Sequence, residues 1–155
     1  MPKHLTNQIK KEVVVMSMYQ GACLCGAVQF EIRGGIDSVI HCHCSLCRKS
    51  SGTAYATNGF VDTDKFKLIQ GEDNLSSFGL KPGQNRHFCK TCGSPIYSSN
   101  SEDPARIRVR LGTITSDISE RPGSHNFVGS KANWDTFDST LVHYEELEPS
   151  RVQNK

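Results

Sequence analysis

His41-Cys42-His43-Cys44-Ser45-Leu46-Cys47-Arg48-Lys49-Ser50-Ser51-Gly52 packs three cysteines, two histidines and two adjacent cations into one short stretch. Cys23-Leu24-Cys25 lies upstream and Cys89-Lys90-Thr91-Cys92 downstream, so all seven cysteines of the chain fall in three clusters. An odd number of cysteines excludes a fully paired disulfide framework in a monomer. The C-x-C and C-x2-C spacings suit thiolate coordination better than long-range stapling. The chain reads as a protein built around two metal sites.

A C-x2-C pair forms a knuckle because a tight turn lets two thiolates converge on one ion, and Gly93 after Cys92 favours such a turn. Several groupings are open. Cys44 and Cys47 with Cys89 and Cys92 would make a four-cysteine ribbon, which leaves Cys23, Cys25 and Cys42 unused. Cys23, Cys25, Cys89 and Cys92 would instead form a closed tetrathiolate, with Cys42, Cys44 and Cys47 as a trio. Four thiolates saturate a tetrahedral zinc, whereas three leave one position for water or substrate. Some of these cysteines as buried or redox thiols is the remaining reading. His41 and His43 alternate with Cys42 and Cys44, so in extended backbone they point away from those sulfurs, toward packing or a hydrogen bond behind the site. His87 and His143 read as structural, and His125, in a glycine- and serine-rich stretch, as a surface polar residue.

The 155 residues fit one domain, and an apolar content of 36% with 13 glycines is lean enough for metal crosslinks to help hold it together. A net charge of +2 does not by itself point to a nucleic acid or a membrane surface. No apolar run has the length to span a bilayer. Lys10 and Lys11 before Val13 to Met16 fall short of a secretory signal. Residues 1–18 are therefore expected to be a flexible lead, or to precede a start at Met16 or Met18. Residues 19–148 are expected to form the domain and 149–155 a tail. Cysteine usage points to a reducing cytoplasm.

Val28, Phe30 and Ile32 oppose Gln29, Glu31 and Arg33, which predicts a half-buried strand. Further strands are expected over 36–40, 53–55, 66–69, 86–88, 106–111 and 141–144. Arg48 to Gly52 reads as one helical turn or a loop, and Gly71 to Gly83 as polar turn. No stretch of ten residues carries a helical apolar period. The expected fold is mainly β, of several short twisted antiparallel sheets.

GACLCGAVQFEI (21–32), HCHCSLCRKSSG (41–52), FCKTCGSPIY (88–97) and GSHNFVGSKANWDTF (123–137) together resemble the glutathione-dependent formaldehyde-activating enzyme family, the Gfa or CENP-V/Gfa-like family. The likeness runs from about Tyr19 to Tyr144. It implies an Mss4-like, or β-tent, fold organised around zinc. By resemblance, Cys23, Cys25, Cys89 and Cys92 hold a structural zinc, and Cys42, Cys44 and Cys47 hold a second, catalytic one. The founding activity adds glutathione to formaldehyde and is classed as a carbon–sulfur lyase in reverse.

Three thiolates on Zn²⁺ leave a charge of about −1, so an anionic thiol such as glutathione needs cations nearby. Arg48, Lys49 and Ser51 are the expected glutathione contacts, with Arg86 a weaker candidate and Ser50 and Gly52 beside them. Ser94 is expected to cap Cys92, and Trp134 and Phe137 to anchor packing. A zinc-dependent lyase acting on thiol adducts of a small aldehyde is the leading reading. Its rivals are a noncatalytic zinc module that binds a thiol metabolite or a protein, and a redox sensor on the trio. Nucleic-acid binding gains only from the row Arg106, Arg108 and Arg110, against a late acidic cluster.

Overall fold

A computed structural model of the chain describes residues 18–137 and 140–151. The lead expected over 1–18 lies outside the described residues except for Met18, and residues 152–155 of the expected tail lie outside as well. In chain order the elements are β1 (Met18–Ala22), β2 (Gln29–Arg33), β3 (Ser38–Cys42), α1 (Ser45–Ser51), β4 (Ala56–Asp62), β5 (Phe66–Gln70), β6 (Leu75–Lys81), β7 (Gln84–Cys89), β8 (Pro95–Asn100), β9 (Arg106–Arg110), β10 (Ser124–Asn126) and β11 (Val142–His143). They form a three-stranded sheet, β1-β2-β5, and an eight-stranded sheet, β11-β10-β3-β4-β9-β8-β7-β6. The fold is dominated by these twisted sheets.

The period-2 pattern places the core between the two sheets. Phe30 and Ile32 of β2 are buried, and so are Val39, Val61, Ile96, Ile107 and Val109 on the facing side of the large sheet. Phe30 stacks on Phe66 at 5.1 Å, and Phe66 reaches Tyr97 of the large sheet at 5.0 Å. Gly21, opposite Phe30 in the β1–β2 register, has no room for a side chain: a Cβ there would lie 2.1 Å from the ring.

The other face of the large sheet is polar. Ile40, Asn58 and Arg110 lie side by side across β3, β4 and β9, and Phe60, Arg108, Ser98 and Arg86 form the next row across β4, β9, β8 and β7. A small apolar cluster of Ile40, Cys42, Cys47, Ala56 and Phe60 sits on this face.

Several expectations need correction. The sheets are two rather than several, and β10 pairs in parallel with both β3 and β11. The strand expected at 53–55 begins at Ala56, because Gly52 turns the chain out of α1 with a left-handed φ of 71°. The stretch 71–83 holds the strand β6, whose polar sequence reflects its place at the sheet edge, where most side chains stay exposed. Trp134 is 67% exposed and anchors nothing in the core.

Candidate metal centres and an arginine-lined cavity

Cys23 and Cys25 sit in the β1–β2 hairpin, and Cys89 and Cys92 in the turn from β7 to β8. Backbone bonds shape both ends: Cys23 N–H donates to Val28 O at 3.0 Å, and Gly93 N–H to Cys89 O at 2.8 Å. The four sulfurs lie within 4.8 Å of one another, with Cys23 to Cys25 at 3.6 Å and Cys25 to Cys89 at 3.8 Å. Zn–S bonds of about 2.3 Å in a tetrahedron put sulfurs about 3.8 Å apart, so the donor set fits such an ion. Val28 N–H donates to Cys23 Sγ at 3.2 Å and Asn74 Nδ2 to Cys89 Sγ at 3.0 Å. Ser94 Oγ accepts from Leu24 N–H at 2.9 Å and lies 3.3 Å from Cys92 Sγ, where it holds that thiol down to about 5. This cluster joins one hairpin of each sheet.

The trio is built differently. Cys42 ends β3, Cys44 caps the N-terminus of α1, and Cys47 lies within that helix. Cys47 N–H donates to Cys44 Sγ at 3.3 Å, and Ser51 Oγ donates to Cys47 O at 2.8 Å. The three sulfurs also lie within 4.8 Å of one another, which suits a single ion with a position to spare. Contact with Cys42 and Cys47 holds the Cys44 thiol well below the ordinary thiol range, and contact with Cys44 pushes Cys42 up. Among the described residues these two cysteine groups are the clusters able to hold a metal ion.

Strand alternation carries His41 and His43 to the opposite side from Cys42, as their spacing predicts. His41 Nδ1 pairs with Thr57 Oγ1 at 2.9 Å, and His43 Nε2 with His125 Nδ1 at 2.8 Å. His125 is only 3% exposed, which corrects the expectation of a surface residue: β10 lays it beside His41 in the parallel register. Its ring stacks on Phe137 at 4.2 Å, so Phe137 does serve in packing. Burial pushes His41 and His43 down to about 4, so at neutral pH the group is an uncharged packed wall behind the trio. His87 stacks on Tyr97 at 4.2 Å in the structural role expected of it.

A cavity of about 960 Å³ opens on the polar face of the large sheet, with Cys42, Cys44 and Cys47 in its lining. Arg86, Arg106, Arg108, Arg110 and Arg151 line it too, together with Asn58 and Phe127. None of the four hairpin cysteines does. Arg48, Lys49 and Ser51 do not line it either. Arg110 is 6% exposed, and its Nη1 donates to Asn58 Oδ1 at 2.7 Å. Burial pulls its pKa down while the neighbouring Cys47 works in the opposite direction. Phe127 holds a left-handed φ of 57°, a conformation a bulky residue rarely adopts, at the wall of this cavity. Residues 144–148 brace that wall: Phe127 N–H donates to Glu146 O at 3.1 Å, and Asn126 Nδ2 to Glu148 Oε2.

The arginine row was visible as an alternation against Ile107 and Val109, but not as a cavity wall. The one signal available was three arginines on one strand face with no acidic partner within the strand.

The sequence pattern of the glutathione-dependent formaldehyde-activating enzymes matches residues 18–130, well over half of the chain. The chain belongs to that family. A Halomonas elongata protein provisionally named as a glutathione-dependent formaldehyde-activating enzyme is 29% identical over 130 residues, covering 79% of this chain and 82% of that protein. An uncharacterized lyase of Schizosaccharomyces pombe is 27% identical over 136 residues, covering 81% of this chain and 96% of that one. A crystal structure of a Rhodobacter sphaeroides protein superposes with a TM-score of 0.55 at 22% identity, covering 64% of this chain and 91% of the other. That likeness concerns fold alone. Among the described residues no helix is long and apolar enough to cross a membrane.

Proposed function

We propose that this member of the family is a zinc-dependent carbon–sulfur lyase acting on adducts of glutathione, or a similar thiol, with formaldehyde or another small aldehyde. The observation that carries the reading is the contrast between the clusters: the trio lines a large cavity and the tetrathiolate does not. A noncatalytic zinc module calls for a patch around the trio, whereas a cleft is present. The same contrast supports zinc in both clusters, structural on Cys23, Cys25, Cys89 and Cys92. Two sheets crosslinked by cysteines support an Mss4-like, β-tent, organisation, and a reducing cytoplasm would keep all seven sulfurs available.

Zinc on Cys42, Cys44 and Cys47 would supply an open position that favours the thiolate form of an incoming thiol. Everything else falls to the chain. Arg110 stands behind the trio and offsets its negative charge, with Asn58 fixing the guanidinium. Ile40, Leu46 and Phe127 supply the apolar wall that limits water. In the synthetic direction the thiol sulfur bonds to the aldehyde carbon, the carbonyl π pair withdraws to oxygen, and the proton lost from sulfur ends on that oxygen. The cations needed by an anionic thiol come from the cavity arginines in this reading, rather than from Arg48 and Lys49.

Exchange between free glutathione with ¹³C-formaldehyde and their adduct, followed by NMR, tests the proposal. The zinc-loaded protein is expected to speed exchange above the spontaneous rate, and Cys44→Ser to abolish the gain. No acceleration by a protein that binds glutathione would establish the noncatalytic reading instead.

A further inference from the structure

Five arginines line the cavity, and like charges gathered this closely repel one another. Two are matched: Arg106 pairs with Asp103 at 3.0 Å, and Arg151 with Glu148 at 2.9 Å. Among the described residues no carboxylate lies within ion-pair distance of Arg86, Arg108 or Arg110. Glu102 also lines the cavity, but it is exposed.

Arg110 is nine-tenths buried, and its Nε has no hydrogen-bond partner; Arg86 Nε is buried and unpartnered as well. A buried donor left unmade is costly, and a buried cation without a counter-charge more so. Register sets Arg86 and Arg108 on either side of Ser98, two strands apart on one face. Arg108 lies with its guanidinium 5.3 Å from the centre of the Phe60 ring, which holds the fork in place. One positive charge answers the metal-loaded trio at about −1. Two remain.

We propose that Arg86 and Arg108 form an oxyanion site beside Arg110 and the trio, which receives a carboxylate carried by the thiol ligand. Guanidinium forks match carboxylates in geometry and charge, and a row of them on a rigid sheet is organised before the ligand arrives. The site selects thiols with a carboxylate distant from sulfur over neutral thiols. That the carboxylate belongs to a thiol rests on the function proposed above; the oxyanion site itself does not.

The probe is S-methylglutathione, whose sulfur is capped, titrated calorimetrically into zinc-loaded protein. Saturable binding is expected in the wild type and equally in Cys44→Ser. Arg86→Gln and Arg108→Gln are each expected to weaken it about 10-fold or more, as loss of a charge-assisted contact does. The diethyl ester of the probe is expected to bind as poorly, and that arm uses wild-type protein, so a misfolded variant cannot obscure it. Equal affinity for acid and ester would overturn the site. Inorganic phosphate that binds more tightly than the probe would overturn the carboxylate assignment in favour of free phosphate. If the capped probe binds as expected but glutathione shows neither extra affinity nor turnover, the oxyanion site stands and the thiol chemistry falls.

Discussion

Cys89→Ser is expected to leave a largely unfolded chain, whereas Cys44→Ser is expected to fold and to lose only the ion of the trio. The difference follows from what each cluster joins. Cys89 is fully buried, and its cluster ties the hairpin of the small sheet to the β7–β8 turn of the large one. Metal binding at a structural thiolate site is worth about 10–16 kcal/mol of folding free energy, as much as the whole stability of a typical domain. Damage there therefore removes more than the fold has in reserve. Cys44 is partly exposed at the start of a seven-residue helix, on the face away from the main core. Circular dichroism with metal analysis of both variants checks this. Equal unfolding by the two would remove the distinction between a structural and a working site.

Arg110→Met is expected to weaken metal binding at the trio by about 10–100-fold, the usual cost of removing a residue that supports metal ligands from behind. Methionine keeps much of the packing and removes the charge, so the loss reports on electrostatics rather than a cavity. Asn58 would lose the guanidinium it accepts from, at 2.7 Å, which adds a buried unsatisfied oxygen to the effect. Competition with a chromophoric chelator measures the two sites separately. The tetrathiolate, which does not border the cavity, should keep its affinity in the same variant. Unchanged affinity at the trio would show that Arg110 does not balance the thiolates.

Local patterns were legible from the chain wherever one face of an element is buried. Phe30 and Ile32 against Glu31 and Arg33, and Ile107 and Val109 against Arg106 and Arg108, gave strands and core sides together. Cysteine spacing left several groupings open, of which the structure brings together the four and the three that the resemblance implied, and alternation turned His41 and His43 away from the trio. What stayed hidden depends on partners distant in sequence. Nothing local tells that β10 will lie parallel to β3 and bury His125. The polar β6 hides its strand character because an edge strand need bury neither face. Arg48 and Lys49 stand nearest the trio in sequence, yet four of the five arginines that share its cavity come from β7 and β9, brought across by sheet register. Proximity along the chain does not show which cations share the cavity with the trio. Periodicity was a good guide to the fold.

The most direct test of the central claim, that one cluster holds the fold and the other works in an open cavity, is the zinc content of the purified reduced protein during a glutathione titration. The account predicts close to two zinc ions per chain, one for each cysteine cluster, and saturable glutathione binding that Cys44→Ser weakens. One zinc per chain with no thiol binding would contradict it, leaving a structural tetrathiolate and a trio that is not a working metal site.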